Sequence, residues 1–199
     1  ERYHALIEKL FGAADVSEQI ALYQSLPLFS HPQLFVARAA EGLRSSMDAT
    51  FNAIALNNPF PGDYFETLAW NQMVLKAVFV NSPLYLIQQL DRRANPELAR
   101  MLSDYAHERW AAKRRVTPEL WRLIGPFLDD SSLNSQLLAD IQHALSIPDK
   151  SQQLAASLQV FCFPRCDLLP NLQVLRITIT YTGSLEGKGM STCPTVKDE

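Results

Sequence analysis

The chain has 199 residues, 47% of them hydrophobic and 20% charged, a balance that suits one ordinary globular domain with its own core. Its formal net charge is only −3 and its 18 basic residues are scattered, which argues against nucleic acid or an anionic lipid surface as a partner. The longest apolar stretches, such as residues 73–80, are broken by Lys76 and fall far short of the roughly 20 residues that a membrane-spanning helix needs, so no transmembrane segment is expected.

The sequence begins at Glu1 with neither an initiator methionine nor a charged-then-apolar secretory pattern, and the expectation is that N-terminal residues are missing. Residues 3–11 and 16–26 place Leu6, Ile7 and Leu10, then Ile20, Leu22, Tyr23 and Leu26, at helical intervals, with Gly12 as a stop signal between them. They predict a helix pair. Pro27 and Pro32 bracket a connector, after which residues 34–43 and 47–56 again carry apolar faces separated near Ser45 and Ser46. The string Asn57-Asn58-Pro59-Phe60-Pro61-Gly62-Asp63 is dense in residues that fix φ or permit turns, and predicts that the chain leaves helix here. Residues 64–80 are apolar nearly all round a helical wheel, the pattern of a helix enclosed by its neighbours. Pro83 ends it, and residues 84–90 suit either a short helix or an extended connector.

Asn95-Pro96-Glu97 sets a capping side chain, a first-turn proline and a first-turn carboxylate in order, predicting a helix that runs to about Arg114. Thr117-Pro118-Glu119 repeats the device for a helix over residues 120–128. Residues 133–145 and an alanine-rich run to about Val160, separated by Ser146-Ile147-Pro148-Asp149, resemble a HEAT-type pair. The predicted fold is therefore all-α: an irregular stack of antiparallel helix pairs, a HEAT-like α-solenoid over residues 1–161, followed by a non-helical tail over residues 162–199. In that tail residues 174–181 alternate like a strand, and a lone strand is not stable. Three explanations are open: pairing with another chain, poor order, or a shifted reading frame. Cys162, Cys166 and Cys193 are confined to the same region, which points to a reducing, cytoplasmic compartment rather than a disulfide framework. No second half-site follows Cys162 and Cys166, so neither a metal nor a cofactor is expected.

The polar residues that stand out are few. Lys76 sits among apolar neighbours with Asn71 and Gln72 about one turn before it; a buried ammonium there could bind an anion, or its stem could pack while its charge reaches solvent. Asp104, His107 and Glu108 are spaced to share one side of a helix, suited to acid–base work, to a metal site, although the two-histidine zinc pattern is lacking, or to an ordinary solvated face. Asp91, Arg92 and Arg93 could offer guanidinium groups to a carboxylate or phosphate, or join a salt-bridge network. No nucleophile elbow, phosphate loop, dinucleotide fingerprint or metalloprotease helix is present.

Four strings, residues 32–44, 53–61, 70–77 and 90–100, resemble the EboA family when read together, and the likeness extends through Tyr105-Ala106-His107-Glu108-Arg109-Trp110. It covers residues 22–128 well and reaches weakly to about Val160. Members of that family are encoded in a conserved bacterial gene cluster, also found in some algae, beside products that look like a prenyltransferase and a metal-dependent hydrolase. The cluster is linked to export of a scytonemin-type sunscreen pigment precursor towards the periplasm. What the resemblance implies is an accessory role in making or moving a small metabolite, with other ebo-cluster proteins or the metabolite itself as partner. The residues expected to carry binding are Asn57, Asn58, Asp63, Asn71, Gln72, Lys76, Asp91, Arg92, Arg93, His107 and Glu108. The alternative is an enzyme acting on a phosphorylated or prenylated intermediate of the same pathway, with Lys76, His107 and Glu108 as its polar groups.

Overall fold

A computed structural model describes residues 2–128 and 134–162, and among them it is all-helical, with no strand. The expected lone strand, and the tail beyond Cys162, lie outside the described residues; Cys162 itself ends a helix. The chain divides into two compact units, Glu1–Leu102 and Ser103–Glu199.

In the first unit α1 (Arg2–Ala13) and α2 (Val16–Gln24) form the expected pair. Its punctuation is a capping box: Asp15 accepts from the Glu18 N–H at 2.9 Å while the Glu18 carboxylate accepts from the Asp15 N–H at 2.9 Å. Two short 3₁₀ turns, Leu26–Leu28 and Pro32–Phe35, lead into α3 (Val36–Leu43) and α4 (Asp48–Ala55). Both α2 and α3 pack against α4. The close approach of α3 to α2 and α4 depends on Gly42 of α3, since a Cβ there would fall 2.5 Å from both Ile54 Cδ1 and Tyr23 Cζ. Leu26, Phe35, Phe51, Ile54 and Phe60 close the core of this part of the unit.

The proline-rich bend departs from expectation. Within it Phe60–Tyr64 forms one turn of helix, α5, because proline near the first helical position has the right φ and lacks only an N–H that the first turn leaves unpaired. Next comes α6 (Thr67–Phe79), which is covered on one face only. Trp70, Asn71, Met73, Val74, Ala77 and Val78 are buried, while Leu68 and Phe79 are each 71% exposed, so the expected full enclosure is corrected to a half-covered helix. Residues 84–90 supply a 3₁₀ turn, Leu84–Leu86, and α7 (Pro96–Ala111) then crosses from the first unit into the second. Asn95 caps it as the sequence predicts, accepting from the Leu98 N–H at 2.9 Å. The helix stops short of Arg114, with Lys113 in the left-handed region at φ 54°.

In the second unit the expected helix over residues 120–128 is broken into a 3₁₀ turn (Pro118–Leu120), α8 (Trp121–Ile124) and another 3₁₀ turn (Gly125–Phe127), with Pro118 opening the first turn and Pro126 second in the other. Thr117 makes no side-chain cap. The long helices α9 (Asn134–Ser146) and α10 (Lys150–Cys162) pack together, and α10 also packs on α8. Trp121, Leu120, Ile124, Leu137 and Ile141 are sealed in this core.

Candidate functional site

The structure sorts the nominated polar residues into separate groups. Lys76 is half-buried and donates to the carbonyls of Leu43 and Ser45, the latter at 2.8 Å, with its ammonium 5.1 Å from the centre of the Phe51 ring. A cation at the C-terminal end of α3 complements the unpaired carbonyls and the negative end of the helix. Gln72, one residue past the buried Asn71, is exposed on the other side of α6, so the two amides do not share a face.

Asn71 is instead locked to Asn95. Its Nδ2 donates to Asn95 Oδ1 at 3.1 Å, and Asn95 Nδ2 donates back to Asn71 Oδ1 at 2.9 Å and to the Arg93 carbonyl at 3.1 Å. A reciprocal amide pair of this kind satisfies a group that is only 1% exposed. Arg93 lies over the Trp70 ring, 4.7 Å from its centre, and donates to the carbonyls of Pro61, Gly62 and Phe65 at 2.9, 3.1 and 2.6 Å. Burial, and secondarily the charge of Arg92, lowers its pKa from the usual arginine value, yet three carbonyl acceptors fix the group where it is. Arg92 donates to Gln89 Oε1 at 2.6 Å, and Gln89 Nε2 donates to Asp63 Oδ1 at 2.6 Å. Asp63, Arg92 and Arg93 thus converge around α5; Asp91 is exposed beside them.

Asn57 and Asn58 sit at an open cleft of about 360 Å³ between the C-terminal end of α2 and α4, lined by Gln24, Ala49, Asn52, Ala53, Leu56, Asn57 and Asn58. That volume is within the range of small-molecule sites. Asn58 forms its floor: Nδ2 donates to the carbonyls of Tyr23 and Ala53, each at 3.1 Å, and Oδ1 accepts from the Phe60 N–H at 3.0 Å. Asn57 stands at φ 53°, with its N–H donated to the Leu86 carbonyl at 2.8 Å. Asparagine is among the few side chains that tolerate this conformation. Gln24 and Asn52 were missed by sequence reading. The available signal was the run of amides at 52, 57 and 58, but Gln24 joins them only through the packing of α2 on α4.

In the second unit His107 Nε2 pairs with Asp140 Oδ1, and the other oxygen of that carboxylate accepts from the Ser103 hydroxyl at 2.6 Å. Gln136 donates to the same hydroxyl at 2.8 Å. Asp140 is 3% exposed, whereas half of the His107 side chain reaches solvent and Glu108 is exposed. Asp104, His107 and Glu108 are all exposed on α7, and His107 has in addition a partner on another helix, α9. No spacing in the sequence signals it, because Ser103 and Asp140 are 37 residues apart. Among the described residues no group of three histidine, cysteine, aspartate or glutamate side chains could hold a metal ion.

Residues 1–125 match the family model described as metabolite traffic protein EboA. The chain belongs to the EboA family. The match takes in the whole amide-lined cleft and the α5–Arg93 cluster of this EboA-family chain, together with α7 and α8. No curated protein and no solved structure matches it. No helix among its described residues is long and apolar enough to cross a membrane.

Proposed function

We propose that the protein is an accessory factor in the biosynthesis or export of a small metabolite, which it handles by binding the metabolite or a partner rather than by transforming it. The observation that carries this is a division of labour among polar groups. Lys76 and Arg93, the cations best suited to chemistry, are engaged in holding helix ends, while uncharged amides around Asn57 line an open cleft. The family description as a metabolite traffic protein supports a small-molecule role. Within this proposal the metabolite is pigment-precursor-like, the protein partners are other ebo-cluster products and the location is cytoplasmic. The exposed side chains of Asp63, Gln72, Asp91 and Arg92 serve as contact points for a partner. A HEAT-like stack over residues 1–161, with 162–199 as a divergent tail, is the architecture proposed; the α9–α10 pair, joined through Pro148 and Asp149, supports it.

Ala49 is exposed on α4 at the cleft, so Ala49→Trp fills the space without disturbing the core. In a host that makes the metabolite, this variant is expected to lower export at an unchanged protein level. Export equal to wild type would sink the proposal. The second reading is catalytic, and the geometry that favours it is His107 oriented by the buried Asp140 carboxylate. It predicts that His107→Gln, at an exposed position, stops product formation while Ala49→Trp leaves it intact.

A further inference from the structure

The amide-lined cleft has a chemical selectivity that can be read from its hydrogen-bond inventory. None of its seven lining residues is ionisable. An ion entering it would lose hydration with no countercharge in the lining, which is costly even in a partly open site. A plain hydrocarbon would cover amides without pairing them, and that also costs free energy.

The amides divide into one that is saturated and three that are not. Asn58 has both N–H donors on carbonyls and its oxygen on the Phe60 N–H, so it is a rigid floor. Asn52 has its oxygen occupied by the Ser82 hydroxyl at 2.7 Å, and its NH₂ makes no hydrogen bond among the described residues. The side chains of Gln24 and Asn57 likewise make none there. Asn57 is held by its backbone bond to Leu86, so its amide is carried on a fixed stem. Three carboxamide NH₂ groups and two carboxamide oxygens are thus open to a guest, beside an apolar wall of Ala49, Ala53 and Leu56.

We infer that the cleft is a binding site for an uncharged ligand of the cyclic-amide class, with an adjacent N–H and C=O on a compact ring system. The ring rests against Ala49, Ala53 and Leu56, its carbonyl accepts from the Asn52 NH₂, and its N–H donates to a carboxamide oxygen of Asn57 or Gln24. This rests on the proposal that the protein handles a small molecule here, and adds the class of molecule.

The test uses the full chain and three probes of similar size: quinolin-2-one, a neutral lactam; quinoline-2-carboxylate, an anion; and naphthalene. Binding is followed by NMR of the side-chain amides. Two variants isolate the contacts. Asn52→Asp keeps the acceptor for Ser82 but replaces the free NH₂ with a charged oxygen. Asn57→Gly keeps the left-handed backbone and removes the carboxamide. The expected result is saturable binding of the lactam with shifts at Gln24, Asn52 and Asn57, weaker or undetectable binding of the other two, and a loss of about tenfold in affinity in Asn52→Asp. Lactam binding that is indifferent to both variants overturns the inference. So does the absence of saturable binding by any probe. Tighter binding of the carboxylate, abolished by Ala49→Trp, overturns the ligand class while upholding a small-molecule site. The export measurement with Ala49→Trp judges the parent proposal separately.

Discussion

Gly42 and Gly62 look alike in sequence but differ in what a methyl group would meet. At Gly42 the new carbon would collide with Ile54 and with the ring of Tyr23, both fully packed, at 2.5 Å. Gly42→Ala is therefore expected to destabilise the protein by about 1–3 kcal/mol, the usual range for overpacking. At Gly62 the nearest atoms, from 2.7 Å, belong to the far end of Gln89, which can swing away. Gly62 is itself buried and the Gln89 amide must leave Asp63 and Arg92 to make room, but these are exposed bonds, so Gly62→Ala should cost less than Gly42→Ala, under about 1 kcal/mol. Urea denaturation of both variants checks the contrast, and equal effects would refute it. Tyr23 carries a second consequence. Burial, partly opposed by Arg38, raises its phenol above the ordinary 10.0. The folded state thus holds that proton more tightly than the unfolded chain. Its contribution is complete below pH 10.0 and is lost as pH rises through the folded value. Tyr23→Phe retains the ring beside Phe11 and removes the titration, so its alkaline unfolding, followed by circular dichroism, is expected to begin at higher pH than in wild type. An unchanged onset would show that Tyr23 does not govern it.

Helix α5 shows what a linear reading misses at the level of an element. Pro59, Pro61 and Gly62 mark a break, and one helical turn alone is not stable in water. The turn persists because Arg93, about thirty residues later, delivers three hydrogen bonds to carbonyls at its end and stacks on Trp70. Removing the guanidinium strands those carbonyls, so Arg93→Ala should cost about 3 kcal/mol. Arg93→Lys should recover only part of that, because a point charge cannot span three acceptors with the geometry of a planar fork. The check is thermal unfolding of both variants, and full rescue by lysine would show that charge alone matters. The Asn95 cap, by contrast, was legible because its partner is the Leu98 N–H three residues on. Lys76 falls between these cases. Its apolar neighbours marked it as unusual, but the carbonyls of Leu43 and Ser45 that engage it come from another part of the chain. Composition likewise overstated the cover of α6, since it registers Leu68 and Phe79 as hydrophobic without registering which face has a neighbour.

For the molecule as a whole, helical content and family were readable from residue strings, whereas the division at Leu102 was not. It falls inside α7, where no loop or composition shift marks it. What defines the second unit is a set of contacts between distant segments, and Gln152 is central to them. Its Oε1 accepts from Trp121 Nε1 at 2.7 Å and its amide donates to the Val116 carbonyl, tying α10 to α8 and to the segment before it. Both Gln152 and Trp121 are buried, so neither released group could turn to water without opening the core. A leucine at 152 would fill much the same volume, which isolates the polar term from a cavity effect. Gln152→Leu should then cost about 3 kcal/mol, the penalty for leaving one buried donor and one buried acceptor unpaired. Hydrogen exchange provides the local readout: the indole N–H of Trp121 and the amides of α10 are expected to exchange faster. If the indole stays as protected as in wild type, the bond to Gln152 is not what holds α10 in place, and packing of the apolar face of α10 on α8 must account for the unit by itself.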